Sequence, residues 1–391
     1  MQTMTNIAES HGQEGSLAGN ESTETPTVYK KTEVGVIPDD WESENLCNIT
    51  IYLGAGRSKI NRSGGSYPIY GSTGIIGYNN HFDHSGPAIL VARVGANAGK
   101  LNAVSGKYGV TDNTIIIKLK DDFSLHFIVS LLEIKRLNSL VFGSGQPLIT
   151  GTQLKKLLIC SPPLHEQKAI AAALSDVDEL IEGLDKLIAK KRDIKQATMQ
   201  QLLTGKRHLP GFDGEWDEKK IGELASITTG ARNTQDRKIN GRYPFFVRSS
   251  TVERIDSFCY QGEAVLTAGD GVGTGKVYHY VNGRFDFHQR VYKISDFNES
   301  LDGYFFYLYF SHNFFQRISL LTAKSSVDSV RMDMIANMQI PLPPLQEQTA
   351  IASVLSDMDE ELRTLEARRD KTKVLKQGMM QELLMGRIRL V

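Results

Sequence analysis

Apolar residues recur at alternating steps of four and three in two stretches of the chain, which is the spacing of a coiled-coil seam. The seam positions are Ile170, Leu174, Val177, Ile181, Leu184 and Ile188 in the first stretch, and Ile351, Leu355, Met358, Leu362 and Leu365 in the second. A Pro-Pro dipeptide precedes each stretch and blocks an upstream extension, and Gly205 or Gly386 follows it as a helix C-cap. The pattern predicts two helices, each of about 40 residues and about 60 Å.

The two helical stretches are copies of one sequence. Residues 162–209 align without a gap on residues 343–390, at an offset of 181, and about half of the positions are identical. The preceding segments match more weakly: GPAILVARVGANAGK (86–100) pairs with GEAVLTAGDGVGTGK (262–276), and Trp41 corresponds to Trp216. Each half of the chain is therefore a variable globular segment followed by a well-preserved helix.

Charge along the two helices predicts how they pair. Each helix has its acidic residues early and its basic residues late: Asp176, Asp178, Glu179 and Glu182 before Lys190, Lys191, Arg192 and Lys195, and Asp357, Asp359, Glu360 and Glu361 before Arg368, Arg369, Lys371, Lys373 and Lys376. Antiparallel packing sets acid against base, whereas parallel packing sets like charges together. We expect an intramolecular antiparallel coiled coil with pseudo-twofold symmetry and a globular segment at each end.

Short apolar runs rich in β-branched residues predict strands at 88–92, 114–119, 264–268 and 290–294, and a helix follows late in each segment, at 125–137 and 301–318. The fold class is therefore α+β. Residues 1–34 are polar and predict a disordered extension. The predicted boundaries are 35–160 for the first globular domain, 161–208 for the first helix, 209–341 for the second domain and 342–391 for the second helix.

Composition limits the function less than the repeats do. The 391 residues include 45 basic and 45 acidic side chains, so the formal net charge is zero and does not point to nucleic acid. No apolar run is long enough to span a bilayer and no signal-peptide pattern is present, so we expect a cytoplasmic protein. Cys47, Cys160 and Cys259 are far apart, and we expect reduced, partly buried thiols.

Motifs for catalysis are missing from the sequence. GANAGK (95–100) and GVGTGK (271–276) resemble a phosphate-binding loop, but they have three residues between the glycines where that loop has four, and no Ser or Thr follows the lysine. The histidines form no metal-binding spacing, and no nucleophile elbow is present. The acid or amide that an adenine methyltransferase needs before Pro-Pro is replaced by Ser161 and Leu342. We expect tight turns, no metal and no enzymatic activity.

Basic, polar and aromatic residues alternate in segments that we predict to be loops. These segments are RSKINRSGGSYPIYGSTG (57–74), RYPFFVRSS (242–250) and GRFDFHQRVYK (283–293). Such side chains can contact base edges and phosphates, and glycine turns allow the backbone to approach DNA closely. The same composition is also common on ordinary protein surfaces.

The layout resembles the specificity subunits of type I restriction-modification enzymes. The similarity covers about residues 35–391 and is carried mainly by the two helical repeats, with their LxEQxAIA start, LSDxDE continuation and MQxLLxG end. Weaker carriers are the segments around Trp41 and Trp216 and the stretches SGQPLITGTQLKKLLICSPPL and SSVDSVRMDMIANMQIPLPPL.

The resemblance implies two target recognition domains, each reading half of a split, asymmetric site in double-stranded DNA. It implies that the helices set the distance between the halves and dock two methyltransferase subunits. The chain would then direct adenine methylation, and cleavage when two motor-nuclease subunits join. Methyl donor and ATP would bind those partners, so the chain itself would be non-catalytic and need no cofactor.

DNA-contacting residues can be assigned by position only. They are Tyr70, Ser72, Thr73, Arg93, Asn97, Lys100, Asn113 and Gln146 in the first domain, and Arg248, Ser249, Ser250, Thr274, Lys276, His288, Gln289, Arg290 and Arg331 in the second. Three alternatives stay open from the sequence. They are a coiled-coil adaptor with two modules that do not bind DNA, an NTPase built on GANAGK, and a solitary DNA-binding regulator.

Overall fold

The structure is a computed structural model that describes residues 28–60, 64–140, 148–321 and 329–390. The fold class is α+β, as predicted, and the two long helices pack together. The chain divides into two compact units. The first comprises Met1–Asp178 with Val374–Val391, and the second is Glu179–Lys373. Each unit therefore contains one globular domain, the start of the helix that follows it and the end of the other helix.

The elements of the first half are short strands followed by helices. The strands are β1 Tyr29–Thr32, β2 Gly35–Pro38, β3 Glu42–Asn45, β4 Thr50–Ala55, β5 Tyr67–Gly71, β6 Gly74–Asn79, β7 His84–Ser85, β8 Ala88–Ala92, β9 Leu101–Val104, β10 Lys107–Val110, β11 Thr114–Leu119 and β12 Leu158–Ser161. The helices are α1 Leu125–Ile134, α2 Gly151–Lys155 and α3 Leu164–Leu202.

Two four-stranded sheets form the first domain. One has the antiparallel order β4-β11-β8-β9, and the other has the order β6-β5-β10-β7, in which β5 and β10 are parallel. Strands β8 and β11 fall where the sequence predicts them, because their apolar residues are buried on both faces. Helix α1 packs its Phe127, Ile128 and Leu131 into the main core.

The second half repeats this plan with longer central strands. Its elements are β13 Asp217–Lys220, α4 Ile221–Leu224, β14 Ser226–Thr229, β15 Tyr243–Phe246, β16 Glu253–Ile255, β17 Tyr260–Ala268, β18 Tyr278–Phe287, β19 Val291–Ser295, α5 Gly303–Leu321, α6 Met332–Ala336, β20 Gln339–Leu342 and α7 Leu345–Leu383. Six strands form one sheet in the order β14-β19-β17-β18-β15-β16, with β15 and β18 parallel. Buried phenylalanines of α5 pack on this sheet.

The two long helices start directly after the Pro-Pro dipeptides, as predicted, but end at Leu202 and Leu383, before the predicted limits of 208 and 391. Both α3 and α7 have 39 residues. Gly205 and Gly386 follow the helix ends and have φ of 68°, in the left-handed region. A Cβ at Gly386 would lie 2.5 Å from Pro38 Cδ, so this position requires glycine both for backbone conformation and for space.

Ion pairs between α3 and α7 confirm the antiparallel direction. In the second unit, Lys191 Nζ lies 2.7 Å from Glu361 Oε1, and Arg369 Nη1 lies 3.4 Å from Asp185 Oδ1. Later residues of α3 thus pair with earlier residues of α7. The first unit contains Lys376–Asp178 at 2.7 Å, and the second contains its equivalent at the 181-residue offset, Lys195–Asp359.

All eleven seam residues are buried or half-buried. The first seam residues of each helix belong to the core of the preceding domain, and the last turn of the other helix completes that core. Ile170 and Leu174 cluster with Leu383 and Leu384, while Ile351 and Leu355 cluster with Leu202 and Leu203. The ends of both long helices are therefore part of the interior of each domain.

The Glu of the LxEQ motif is a buried anchor in each unit. Glu166 is fully buried and accepts a hydrogen bond from Trp41 Nε1 at 3.1 Å and two from Arg389, at 2.7 and 2.8 Å. Its equivalent Glu347 is also fully buried, and its carboxylate oxygens lie 3.0 Å from Trp216 Nε1 and 2.9 Å from His208 Nδ1. The Glu and Gln side chains of the motif are enclosed in both units.

The Gln of the motif fixes the loop that leads into each domain's helix. Gln167 Oε1 accepts from Ser124 N at 2.9 Å, and Gln348 Oε1 accepts from Asp302 N at 2.8 Å. Their Nε2 groups donate to the first proline of each Pro-Pro pair, Pro162 and Pro343. Repeated buried contacts thus explain why these residues are alike in the two halves.

Several expectations need correction. Strand β1 lies within residues 1–34, where we expected disorder, because it pairs with β2 from Tyr29 to Thr32. Only Cys160 of the three free thiols is buried, since Cys47 and Cys259 are exposed. The segments predicted as loops also contain all or part of strands β5, β15, β18 and β19, and the phenylalanines of β15 and β18 in these segments are buried. Among the described residues, no helix is long and apolar enough to cross a membrane.

Candidate nucleic-acid interface

Four connections between strands of the second domain lie next to one another beside the six-stranded sheet, and together they are called the edge of this domain. They are residues 230–236, 247–252, 269–277 and the turn 288–290. Backbone hydrogen bonds tie them together: Gln289 N donates to Arg232 O at 2.8 Å, His288 N to Phe246 O at 2.9 Å and Gly269 N to Arg290 O at 2.8 Å. These hydrogen bonds therefore join the four connections into one continuous surface.

The exposed side chains at this edge centre on one carboxylate. Asp270 Oδ1 lies 2.8 Å from Arg248 Nη1, and Asp270 Oδ2 lies 3.2 Å from Arg290 Nη1. The arginine side chains are 46% and 64% exposed, whereas that of Asp270 is 22% exposed. Two guanidinium groups are thus presented to solvent on a common acidic support.

His288 supports the turn instead of facing solvent. It is buried, and its Nδ1 accepts a hydrogen bond from Arg290 N at 3.0 Å. Burial lowers the pKa of His288 below its usual value, and the positive charge of Arg248 lowers it further. The ring is therefore neutral at pH 7 and can accept the Arg290 N–H.

Gln289 and Arg232 extend the edge on one side. Gln289 Nε2 donates to Asn233 Oδ1 at 2.6 Å. Arg232 Nε donates to Asp286 Oδ2 at 3.3 Å, and the Asp286 side chain is buried. Although Cys259 is exposed as a residue, partial shielding of its sulfur from solvent and the neighbouring Asp286 carboxylate raise its pKa to about 11, so this thiol is protonated at neutral pH.

The GVGTGK segment is a tight turn between β17 and β18, as expected. Thr274 is buried and its Oγ1 donates to Gly271 O at 2.7 Å, so its hydroxyl closes the turn. Lys276 is exposed, with Nζ 5.8 Å from the centre of the Phe315 ring of α5. A phosphate-binding loop would lead into a helix, whereas β18 and, in the first domain, β9 follow these turns.

The first domain has the same framework. Thr111 N donates to Tyr70 O, Arg93 N to Asn113 O and Ile149 N to Arg93 O, at 2.8 to 3.1 Å. In the second domain, the corresponding hydrogen bonds are donated by the backbone N–H groups of His288, Gly269 and Val330. Ser72, Val94 and Asn113 therefore occupy the positions that Arg248, Asp270 and Arg290 occupy in the second domain.

The side chains on this framework differ between the domains. Arg93 Nη1 donates to Asp112 O at 3.3 Å, while its Nε is buried and has no hydrogen-bond partner among the described residues. Tyr70 packs edge-on against Tyr108, and Asn113 and Thr73 are exposed. The two domains thus present different chemistry from equivalent loops.

The predicted residues do not all lie at these edges. Asn97 and Lys100 line a cavity of about 530 Å³ with Arg136 and Asn138. In the second domain, Ser249 and Ser250 follow Arg248 and are exposed. Arg331 is exposed two residues beyond Ser329, which bridges to Asp270, and Gln146 lies outside the described residues.

Asp270 is the residue that sequence reasoning missed. The two-domain alignment pairs it with Val94, so a change from apolar to acidic within the turn was visible in the sequence. Its contact with two arginines far away in sequence could not be seen there. Across the described ranges, no three His, Cys, Asp or Glu side chains are grouped so that they could hold a metal ion.

Comparison with known proteins gives a consistent result. The model of the type I restriction modification DNA specificity domain matches residues 38–190 and 213–375. The type I restriction enzyme MjaVIII specificity subunit of Methanocaldococcus jannaschii is 26% identical over 90% of this chain and 94% of its own length. The EcoDI specificity subunit of Escherichia coli is 29% identical over 39% of this chain and 33% of its own length.

Solved structures share the fold. The S subunit of a type I restriction-modification system from M. genitalium superposes with a TM-score of 0.62 at 18% identity, covering 88% of this chain and 96% of that one. A chain from a study of complex assembly and conformational transition of the type I R-M system gives a TM-score of 0.58 at 17% identity, covering 90% and 99%.

Proposed function

Because this chain belongs to the family of type I restriction-modification specificity subunits, which recognise DNA sequence, we propose that its two domains read the two halves of a split, asymmetric site. The observation that carries the proposal is the shared loop framework with different side chains. Asn113 and Ser72 stand where Arg290 and Arg248 stand, so equivalent loops would meet different bases.

The partners in this proposal are two methyltransferase subunits and, for cleavage, two motor-nuclease subunits. The chain would direct adenine methylation without catalysing it, and the methyl donor and ATP would bind the partners. One structural neighbour comes from a study of complex assembly of a type I system, which supports a role within a complex. Both long helices would dock the methyltransferase subunits and set the distance between the half-sites.

Genome-wide mapping of adenine methylation, with and without the gene, tests the proposal. We expect a bipartite methylated motif that disappears with the gene. Substitution of Arg290 or Gln289 should relax one half of the motif, and substitution of Arg93 or Asn97 the other half. Equal loss of sequence preference in both halves after any single substitution would contradict the two-reader model.

A second outcome would favour the adaptor alternative. If the chain with its genomic methyltransferase partner binds no DNA and methylation is unchanged in the deletion strain, the domains bind something other than DNA. Hydrolysis of ATP by the chain alone would favour the NTPase alternative. A methylated motif that is present in the wild-type strain and lost in the deletion strain would exclude both the adaptor and the NTPase alternatives.

A further inference from the structure

The carboxylate of Asp270 holds two exposed arginines, Arg248 and Arg290, at the edge of the second domain. We propose that these arginines read guanine bases in the major groove and that Asp270 is the positioning residue that orients them. The inference rests on the proposed function, since it assigns base chemistry to one of the two half-sites.

Guanine fits this arrangement because of its hydrogen-bond pattern. Its major-groove edge carries two acceptors, O6 and N7, and an arginine fork is their commonest specific partner. Asp270 engages Nη1 of each arginine, and a bidentate contact uses two of the five N–H donors of a guanidinium. Each arginine can therefore keep its acidic partner while it contacts a base.

Asp270 also argues against a simple phosphate contact. A carboxylate between two arginines repels a phosphate and reduces the attraction of the pair for the DNA backbone. It does not repel the uncharged edge of a base, and it restricts the guanidinium orientations. The acid thus costs little for base reading and weakens phosphate binding.

The backbone around the carboxylate is fixed on both sides. Gly269 N donates to Arg290 O at 2.8 Å, and Val330 N donates to Gly269 O at 2.7 Å. A Cβ at Gly273 would lie 2.2 Å from the carbonyl oxygen of Arg248, so these two loops are in close contact. The support is therefore ordered before DNA arrives, which reduces the entropy lost on binding.

Among the described residues of the first domain, the positions that correspond to this cluster are uncharged. Ser72, Val94 and Asn113 occupy these positions. The inference therefore applies to the half-site read by the second domain. The other half-site serves as an internal reference in every measurement.

The test uses the full chain assembled with its methyltransferase and a randomised duplex DNA library. We expect the selected site to contain guanine in the half that Arg248→Ala or Arg290→Ala relaxes. Replacing that guanine by 7-deazaguanine, which lacks N7, should weaken wild-type binding about 5- to 100-fold. The same replacement should have little further effect on the corresponding alanine variant.

Asp270→Asn should reduce discrimination against the 7-deazaguanine site, leave the first half-site unchanged and keep non-specific DNA affinity equal or higher. Asp270→Glu, which keeps the charge, should retain more discrimination. Glu253→Gln is the control, because Glu253 pairs with another exposed arginine of this domain, Arg237, at 3.1 Å. It should leave both half-sites unchanged.

Three results overturn the inference while the proposed function stands. They are a bipartite site without guanine in the affected half, equal weakening on all sequences in the alanine variants, and unchanged discrimination in Asp270→Asn. Wild-type protein without sequence preference in either half would instead refute the proposed function.

Discussion

Single buried side chains connect the ends of the long helices to the domains. Glu166 holds Trp41 and Arg389, and Arg389 also makes two hydrogen bonds to Asp40. The Arg389 guanidinium lowers the pKa of the Asp40 carboxyl. In the second unit, Trp216 and His208 stand at the positions of Trp41 and Arg389, so the carboxylate of Glu347 contacts a histidine ring instead of a guanidinium group.

Glu166→Gln should destabilise the first unit more than Glu347→Gln destabilises the second. Glu166→Gln removes the buried carboxylate charge that pairs with Arg389, and this should cost roughly 3 kcal/mol. Glu347→Gln should cost about 1 kcal/mol, because the glutamine still accepts the hydrogen bond from the indole N–H of Trp216. The chain has two tryptophans, Trp41 in the first unit and Trp216 in the second. Urea unfolding followed by the fluorescence of Trp41 in a Trp216→Phe protein measures the first unit, and the fluorescence of Trp216 in a Trp41→Phe protein measures the second. Equal losses in both units would contradict the assignment of the stronger anchor to Arg389.

Histidine burial predicts how stability depends on pH. Burial lowers the pKa of His279 below its usual value, and its Nε2 lies 3.2 Å from Ser249 O. A lowered pKa means that the unfolded chain binds the proton first, so stability is full above the unfolded pKa and is lost as pH falls through the folded pKa.

The free energy of unfolding of the second unit should therefore decrease from pH 7 to pH 5. His279→Gln keeps an N–H donor for the Ser249 carbonyl and should make this decrease smaller. Urea titrations at several pH values, followed through Trp216, measure the slope. His81→Gln is the control, because His81 is exposed. His208→Gln is not suitable, because His208 contacts the buried Glu347. Identical slopes for the wild type and His279→Gln would reject the explanation.

Among the elements, the two long helices were predicted best and the domain edges least well. Periodicity, Pro-Pro and glycine signals are local, so they predict the existence and the start of α3 and α7 closely, although both helices end before the predicted limits. Strand β18 was predicted partly as a loop because the segment 283–293 mixes basic, polar and aromatic residues, although Tyr278–Phe285 pair with β17 and the last two residues of β18 pair with β15. The Asp270 cluster depends on residues brought together by the fold, which local patterns do not contain.

The antiparallel helix pairing can be tested by exchanging charges. Lys376→Glu should destabilise the first unit by about 1 kcal/mol, because it sets a second acid beside Asp178. Asp178→Lys combined with Lys376→Glu should recover most of this loss. Thermal unfolding of the four proteins gives the coupling energy. A double variant no more stable than the worse single variant would contradict this contact.

Glycines inside and beyond the helices should respond in opposite ways to alanine. A Cβ at Gly183, within α3, meets nothing within 4 Å, so Gly183→Ala should raise stability by about 0.5–1 kcal/mol. Gly386→Ala should lower it, because of the positive φ and the contact with Pro38. Melting temperatures measure both changes. The same sign for both substitutions would mean that helix propensity alone sets their effect.

For the whole molecule, the neutral net charge reflects how charge is distributed. Acidic and basic blocks of α3 and α7 pair with each other, so they cancel within the protein. Neutrality therefore does not argue against DNA as a ligand, because Arg248 and Arg290 remain exposed on the second domain.

Shortening both long helices should change the spacing between half-sites. Deleting residues 183–189 and 365–371, which face each other through Asp185–Arg369, keeps the flanking pairs in register. Seven helical residues span about 10 Å, the rise of about three base pairs. We expect methylation mapping to show a spacer about three base pairs shorter with both half-sites unchanged. Altered half-sites with the old spacing would refute this role of the helices.

Arg389, near the last described residue, completes the surroundings of Trp41, near the first. The second unit, in contrast, is one continuous stretch, Glu179–Lys373. During synthesis on the ribosome, the first unit cannot be completed until residues 374–391 are made, whereas all residues of the second unit are made before them. The order of translation is thus opposite to the order in which the two units can finish folding, and a premature stop after residue 373 should damage the first-made domain more than the second.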